Sequence, residues 1–253
     1  MNHYDVSILP SEARYWMMIL GAVVGGFLFV KYFDHLSKDK REPYLKRLGL
    51  ALICISSFLP IYTILIPEHL FSFHRSLPLH FCSLNIWLIG LNCFFKSQKL
   101  FVYTFFMGLI GGFYSVLTPL LTVGDAPLVI VHYIIVHTAL FTVPIVMIRL
   151  FGMRLKYYDW MRGYLFAAAI STLMVLINSC LNLYVENTGG ASANYMFVTV
   201  APAVSNPFLF EGLRWPFYLF PIHLGLFLHM LIINMIYRKR EQNPIVSDPQ
   251  LWQ

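Results

Sequence analysis

Residues 128–151 read LVIVHYIIVHTALFTVPIVMIRLF, an almost unbroken apolar stretch in which Arg149 is the one charged residue. About 20 helical residues cross the roughly 30 Å of hydrocarbon in a bilayer. In lipid, a helix is the open-chain structure that satisfies all of its own backbone hydrogen bonds. The stretch therefore predicts a membrane-spanning helix, and this helix carries His132 and His137 five residues apart.

Six further apolar runs lie on either side of this stretch, at about 14–33, 45–66, 78–95, 100–121, 160–185 and 215–237. The run at 78–95 is the shortest. Hydrophobic residues make up 58% of the chain and charged residues 12%, whereas roughly 25% of the residues in average soluble domains are charged. These features predict an all-α, polytopic membrane helix bundle of about seven transmembrane helices, with residues 1–253 forming a single integral membrane domain.

The basic residues between the runs are concentrated on alternate loops. Fifteen lie on one set of connections and after the last run, whereas the opposite set carries only Arg14, Arg75 and Arg214. Because cytoplasmic loops are rich in Lys and Arg, this alternation predicts an external amino terminus and a cytoplasmic carboxyl terminus. The distribution also explains the net charge of +6, so no nucleic-acid partner is expected. We expect a multi-pass protein of the cell membrane, with a short cytoplasmic tail at 241–253.

Two connections between the runs differ in character. Residues 31–47 are polar and mixed in charge, which indicates a cytoplasmic loop lying against anionic head groups. The longest connection, at about 186–214, includes the apolar segments 195–198 and 208–210. Connections of this length in compact proteins are usually functional or disordered, and these segments are apolar enough to fold back against the bundle.

Ionisable side chains within the runs gather on the predicted outer side. At a rise of about 1.5 Å per residue, Cys82 and His132 lie roughly 6 Å below the outer boundary, with His80 nearer the surface. By the same rise, His137 and His223 lie at roughly 14 Å and 12 Å. Ionisable groups in lipid usually face the protein interior or a cavity because exposure to hydrocarbon is costly. We therefore expect these groups, from three helices, to share the outer half of the membrane.

A thiol among imidazoles indicates nucleophilic catalysis. Cys82 lies near a helix amino terminus, where the helix dipole favours a thiolate, and this distinguishes it from the other three cysteines. A thiolate activated by histidine can accept an acyl group from an ester and pass it to another alcohol or to water. Cys82 is the expected nucleophile and His137 the expected base, with His132 or His80 orienting the pair.

Further polar residues are expected to contact the substrate. Asn85, three residues after Cys82, is spaced to donate a hydrogen bond to a developing oxyanion. Tyr133 shares a helix face with His137, and His223 is contributed by the last run. Membrane lipids are the expected substrate or ligand, and no cofactor is expected.

Two other functions stay open on these residues alone. Three histidines together with Glu68 or Asp125 could hold zinc and activate water, as in a zinc-dependent intramembrane lipid hydrolase, but no compact ligand spacing supports such a site. Alternatively, His80, His137 and His223 could line a polar path in a non-enzymatic transporter or lipid-binding protein. The runs contain no acidic residue deep inside them, which argues against proton-coupled transport.

Several blocks of the chain resemble a known family. Residues 77–83, LPLHFCS, look like a block of the YwaF-type integral membrane proteins of bacteria. That group is distantly similar to the animal transmembrane protein 164 family, described as phospholipid acyltransferases that act through a cysteine. The similarity continues in the same order through 131–137 (VHYIIVH), 194–197 (NYMF) and 215–218 (WPFY).

The resemblance implies roles for particular residues. It maps His80, Cys82 and His137 onto the family's site and implies Cys-dependent phospholipid acyl transfer. It also implies that Asn194 and Tyr195 belong to an outer loop folded over the pocket.

The block that contains Trp215, expected on the substrate side, departs from the family pattern. Residues 212–216 read GLRWP where the family usually has Gly-Pro-Trp-Pro.

Overall fold

Seven α-helices make up most of the computed structural model, which describes residues 5–66, 71–74, 76–188, 192–201, 210 and 213–241. Within these ranges the helices are α1 (Ala13–Asp34), α2 (Lys38–Leu65), α3 (Phe81–Phe95), α4 (Gln98–Leu117), α5 (Pro127–Phe151), α6 (Asp159–Thr188) and α7 (Leu219–Glu241). A 3-10 turn, Tyr195–Phe197, lies between α6 and α7. Two short strands, β1 (Val6–Ser7) and β2 (Leu120–Leu121), pair antiparallel.

Six of these helices are long and apolar enough to cross a membrane. The exception is α3, whose 15 residues correspond to the run predicted to be the shortest. The predicted all-α, multi-pass fold is therefore confirmed. The tail expected at 241–253 lies outside the described residues beyond Glu241, the last residue of α7.

The sequence indicated a loop over residues 31–47, but most of this polar segment is helical. Helix α2 already begins at Lys38, so its first turns are charged and helical. Glu42 forms ion pairs with Lys46, four residues later, and with Lys96, which follows α3. Long charged side chains favour a helix in water, whereas apolar runs mark only the part of a helix that lies in lipid. This difference explains the error in the predicted boundary.

Other helix ends also differ from the predicted runs, and α3 begins at Phe81 rather than at 78. Helix α4 ends at Leu117 rather than 121, since Thr118 precedes Pro119 and that position disfavours helical backbone. Helix α7 begins at Leu219 because residues 215–218 form turns. His223 is therefore the fifth residue of α7. At about 1.5 Å per residue it lies roughly 6 Å from the helix start, half the depth predicted from the sequence.

Helix α5 occupies the middle of one group of helices and packs against α1, α2, α3 and α4, while α6 and α7 pair and pack against α4. Helices α4 and α5 approach most closely at Gly108, where an added Cβ would lie 2.1 Å from the carbonyl oxygen of Leu140. A glycine is required at this crossing because any side chain would separate the two backbones. The crossing holds the end of α4 beside the start of α5.

The segment before α1 supports the connection between α4 and α5. Strand β1 pairs with β2 in that connection, and the backbone N–H of Ile8 donates to the carbonyl of Pro119 at 3.0 Å. The hydroxyl of Tyr15 donates to the carbonyl of Leu117 at 2.9 Å. The segment before α1 therefore holds the α4–α5 connection in place, and this connection forms one wall of an internal cavity.

Candidate functional site

A cavity of about 250 Å³ lies where four helix ends meet. The carboxyl ends of α2 and α4 and the amino ends of α3 and α5 surround it, and the α4–α5 connection closes one side. Its lining includes His80, Cys82, Tyr114, Ser115, His132, Tyr133, His137 and Phe197. The structure thus brings the thiol predicted as nucleophile together with three of the predicted histidines and Tyr133.

Cys82 is the second residue of α3. Its Sγ lies 3.4 Å from the Oγ of Ser115 on α4. Among the described residues this is the hydrogen bond that the thiol makes, and none joins it to a histidine ring. Sequence reasoning missed Ser115 because a single serine in an apolar run carries no distinguishing spacing. Its position beside Cys82 depends on how α3 and α4 pack.

The ring of His137 is fixed by its own helix. Its Nδ1 lies 2.7 Å from the carbonyl oxygen of Tyr133, one turn earlier. A carbonyl oxygen only accepts hydrogen bonds, so Nδ1 carries the proton and Nε2 is left with a lone pair. The ring also packs against the Tyr133 ring, with centroids 3.8 Å apart. His137 therefore presents a basic nitrogen in a fixed orientation.

Tyr133 links the histidine helix to the helix that contacts the thiol. Its hydroxyl donates to the backbone carbonyl of Ser115 at 2.8 Å. Ser115 is thus held by Tyr133 through its main chain and contacts Cys82 through its side chain. This arrangement explains how packing of α4 against α5 sets the position of the thiol's partner.

His132 lines the same cavity but is held differently. Its Nε2 lies 3.0 Å from the carbonyl oxygen of Ile55 on α2, and its ring packs against Phe58. The carbonyl accepts, so Nε2 is the protonated nitrogen of His132 and Nδ1 is the basic one. His132 therefore ties α5 to α2, in addition to bordering the cavity.

His80 immediately precedes α3 and lies between two aromatic rings. The centroid of its ring is 5.2 Å from that of Tyr195 and 5.5 Å from that of Phe197. No side chain caps the amino end of α3. The first backbone N–H groups of that helix, including that of Cys82, are therefore left without a partner from the helix itself.

The loop 192–201 packs over the start of α3, so its apolar segment does fold back against the bundle. Asn178 on α6 binds both the N–H and the carbonyl of Tyr195, each at 3.0 Å. The phenol of Tyr195 donates to the carbonyl of Phe73 at 2.6 Å and accepts from the N–H of Leu77 at 3.0 Å. Tyr195 is fully buried, and its ring packs against that of His80, which lines the cavity.

Three residues that were predicted to contact the substrate are not among the described residues that line the cavity. The side chain of Asn85 is buried and donates to the carbonyl of Thr104 at 3.4 Å. Asn194 bonds within its own loop, to the backbone of Val200. The ring nitrogen of Trp215 donates to the carbonyl of Val198 at 2.9 Å. The structure places these side chains in supporting contacts around the site.

His223 is also apart from the cavity. Its Nε2 lies 3.2 Å from the Oγ of Ser171, which joins α7 to α6. The aromatic ring of Tyr164 packs edge-on against it at 6.1 Å between centroids. His223 therefore belongs to the α6–α7 interface, and its expected contact with substrate stays a prediction.

A metal centre is not assembled by the part of the chain that the structure describes, where no group of three His, Cys, Asp or Glu side chains could hold an ion. Asp125 forms an ion pair with Arg14 at the start of α1. The guanidinium of Arg14, which hydrogen-bonds to this carboxylate, lowers the pKa of Asp125. Glu68, the other carboxylate considered for zinc, lies outside the described residues.

The fold and the cavity define a multi-pass membrane protein with a thiol and several imidazoles around one internal space. The chain belongs to the TMEM164 family, whose model matches residues 9–234. This match confirms the similarity to the transmembrane protein 164 family, while the YwaF-type label stays an expectation. No curated protein and no solved structure matches the chain.

Proposed function

We propose that this protein is a membrane-embedded lipid acyltransferase that uses Cys82 as its nucleophile and His137 as its base. The observation that carries the proposal is the shared cavity: Cys82 borders the same space of about 250 Å³ as His137, whose Nε2 is left free by the bond at Nδ1. A thiol and a basic imidazole around an accessible space are the requirements of cysteine-dependent acyl transfer. Family membership is consistent with a lipid-related role.

The reaction begins with transfer of the Cys82 thiol proton to His137 Nε2. The thiolate attacks the carbonyl carbon of a lipid ester, the S–C bond forms, and the ester C–O bond breaks. The departing alkoxide takes the proton from His137 and leaves as the lyso-lipid alcohol. A second alcohol then gives its proton to His137 and attacks the thioester. The C–S bond breaks, and Cys82 recovers its proton from His137.

Stabilisation of the oxyanion would come from the start of α3. The sequence favoured Asn85 for this role, but that side chain is buried against Thr104. The unpaired N–H groups at the amino end of α3 lie next to Cys82 and carry the positive end of the helix dipole. Such groups stabilise the negative charge of tetrahedral intermediates. We assign this role to the backbone around Cys82.

The dimensions of the cavity support a lipid as substrate. Pockets that enclose a whole small molecule usually occupy about 300–1,000 Å³, whereas this cavity has about 250 Å³. It would hold the ester and the first carbons of a chain, with the remainder of the lipid in the surrounding bilayer. Apolar side chains in the lining, such as Leu59, Val129 and Val136, suit that use.

The test is formation of a thioester at Cys82. The purified full-length chain, in nanodiscs, is incubated with an alkyne-tagged p-nitrophenyl fatty acid ester, and acylated peptides are identified by mass spectrometry. Cys82→Ala should abolish the hydroxylamine-sensitive label, and Cys180→Ala, which alters an exposed cysteine elsewhere, should retain it. Labelling of the same extent in Cys82→Ala would overturn the proposal. Adding a lyso-lipid alcohol separates acyl transfer from hydrolysis, since only transfer produces a new ester.

We further propose that the cavity opens toward the outside of the cell membrane. The support is the distribution of Lys and Arg, fifteen of which lie on the side predicted to be cytoplasmic. The described helix ends around the cavity all belong to the opposite side. Reporter domains fused to the two termini should show an external amino terminus and a cytoplasmic carboxyl terminus. The reverse result would place the cavity on the cytoplasmic side.

A further inference from the structure

Two bulky residues of the loop 192–201 have backbone conformations that such residues rarely adopt. Met196 has a φ of 58° and Phe197 a φ of 53°, both in the left-handed region. Non-glycine residues persist there only when their surroundings hold them, and they cluster at active sites and ligand contacts. Within the described part of this loop, Phe197 is the residue that lines the cavity.

Four hydrogen bonds hold this unusual turn in place. Asn178 binds the main chain of Tyr195 on one side, through two of these bonds. On the other side, the Tyr218 hydroxyl donates to the carbonyl of Phe197 at 2.6 Å, and the Trp215 ring nitrogen donates to that of Val198 at 2.9 Å. The position of Phe197 is therefore set by α6 and by the turn before α7, independently of any substrate.

The Phe197 ring forms an apolar part of the wall of the cavity that Cys82 also lines. The centroid of the Phe197 ring lies 5.5 Å from that of His80, and His80 is two residues before Cys82. Leu77 and Pro78 extend the same wall of the cavity. Because Cys82 and Phe197 line one cavity of only about 250 Å³, a wide group bound to the Cys82 sulfur would compete with the Phe197 ring for space.

We propose that Phe197 limits the width of the group that reaches Cys82, and thereby selects acyl chains that are narrow next to the ester. The proposal rests on acyl transfer at Cys82. Straight-chain acyl groups would be accepted, and acyl groups branched beside the carbonyl would be excluded. Phe197 is in this sense a specificity-determining residue.

The experiment measures access to Cys82 with two sets of probes in the full-length protein in nanodiscs. The first set contains N-methylmaleimide and N-cyclohexylmaleimide, which alkylate thiols without any enzymatic step. The second contains p-nitrophenyl esters of a straight-chain acid and of its 2-methyl-branched isomer. Rates at Cys82 are measured by peptide mass spectrometry, with the exposed Cys180 as an internal reference for intrinsic reagent reactivity.

Phe197→Ala should raise the ratio of the rates for the wide and the narrow reagent at Cys82 by about 10-fold, the lower end of the effect of one methylene group in an apolar pocket. Phe197→Leu should give a smaller rise, which guards against a folding defect in the alanine variant. Val198→Ala changes the next residue, which is buried and is not among the described residues that line the cavity. This variant should therefore leave the ratio unchanged.

An unchanged ratio in Phe197→Ala, for maleimides and esters alike, would overturn the proposal, as would an equal rise in Val198→Ala. If the maleimide ratio rises while no ester acylates Cys82 in any variant, Phe197 is confirmed as the wall that controls access. That result would instead refute the acyl transfer proposed above. The two proposals can therefore fail separately.

Discussion

Two histidines of this protein share a local geometry and differ in what surrounds them. His137 on α5 and His229 on α7 each place Nδ1 2.7 Å from the carbonyl oxygen four residues earlier. Both therefore carry the proton on Nδ1 and a lone pair on Nε2. In His229, Nε2 accepts a hydrogen bond from the Tyr114 hydroxyl at 3.1 Å. In His137, Nε2 has no hydrogen-bond partner among the described residues, and the ring borders the cavity with Cys82.

The difference gives a criterion for separating histidines that only join helices from histidines that keep a nitrogen available to a reactant. The bond at Nδ1 fixes the ring in both cases and does not distinguish them. The two histidines differ at Nε2. In His229 this nitrogen joins α7 to α4, whereas in His137 it is available to a reactant. The same distinction applies to serines, since Ser115 contacts the thiol and Ser171 contacts His223. Three predictions test this comparison, in order of decreasing effect, and a fourth concerns an exposed ion pair.

Replacing each histidine by glutamine tests the comparison directly. A glutamine amide can still donate to the helix carbonyl but cannot take up a proton. His137→Gln should lower the rate of thioester formation at Cys82 by about 10²–10⁴-fold, the usual contribution of a general base. His229→Gln should have a far smaller effect, because that ring lies between helices. Equal losses in the two variants would show that the free nitrogen does not distinguish them.

The two serines provide a weaker version of the same test. Ser115→Ala removes the hydrogen bond that orients the Cys82 thiol, and a bond of this kind is worth about 1 kcal/mol. The acylation rate should fall by about 5-fold, the factor that corresponds to that energy. Ser171→Ala is the matched control and should leave the rate unchanged while lowering thermal stability. A lower acylation rate in Ser171→Ala together with an unchanged rate in Ser115→Ala would contradict the roles assigned to the two serines.

His223 separates the sequence-based expectation from the structural contact. If it binds substrate, His223→Phe should weaken substrate affinity. If its bond to Ser171 is its main role, the variant should lose roughly 0.5–1.5 kcal/mol of unfolding free energy and keep its acylation rate. We expect the second result. Chemical denaturation in detergent and acylation measured at several ester concentrations give the two readouts.

The smallest effect is expected at the ion pair between Arg14 and Asp125, because both side chains are well exposed. Arg14 lowers the pKa of Asp125, so the carboxylate contributes stability above its ordinary pKa of about 3.9 and loses it as the pH falls through the lowered value. Asp125→Asn should therefore cause a slight loss of thermal stability that is constant from pH 7 to pH 5. It should disappear only below about pH 4. A loss that varied between pH 7 and pH 5 would point to another group.

The fold was largely predictable because lipid imposes long apolar runs, and the number and order of the helices follow from those runs. The grouping of Cys82 with His132 and His137 was also predictable, since alternating topology places particular helix ends on one side. The boundaries of α2 and α7 were not, because charged turns outside lipid and aromatic turns such as 215–218 have no apolar signature.

The hydrogen-bond partners within the site could not be read from the sequence. Ser115 is 33 residues from Cys82, and only the packing of α3 against α4 brings the two together. Asn85 was predicted to donate to an oxyanion on the basis of its spacing, yet its rotation about α3 directs it to Thr104. Spacing along one helix predicts a shared face, but the neighbour on that face is decided by another helix.

The brevity of α3 has a consequence for the bilayer itself. Fifteen residues span only about 22 Å, some 8 Å less than the hydrocarbon layer. With the ion pair of Lys96 and Glu42 at an aqueous boundary, the shortfall would lie at the other end of α3, which carries Cys82. The bilayer thins locally beside a short span. Such thinning would bring the glycerol esters of the lipids, and the water around them, closer to the Cys82 thiol. The protein would then bring the membrane surface down to Cys82, and a lipid would not have to sink into the core.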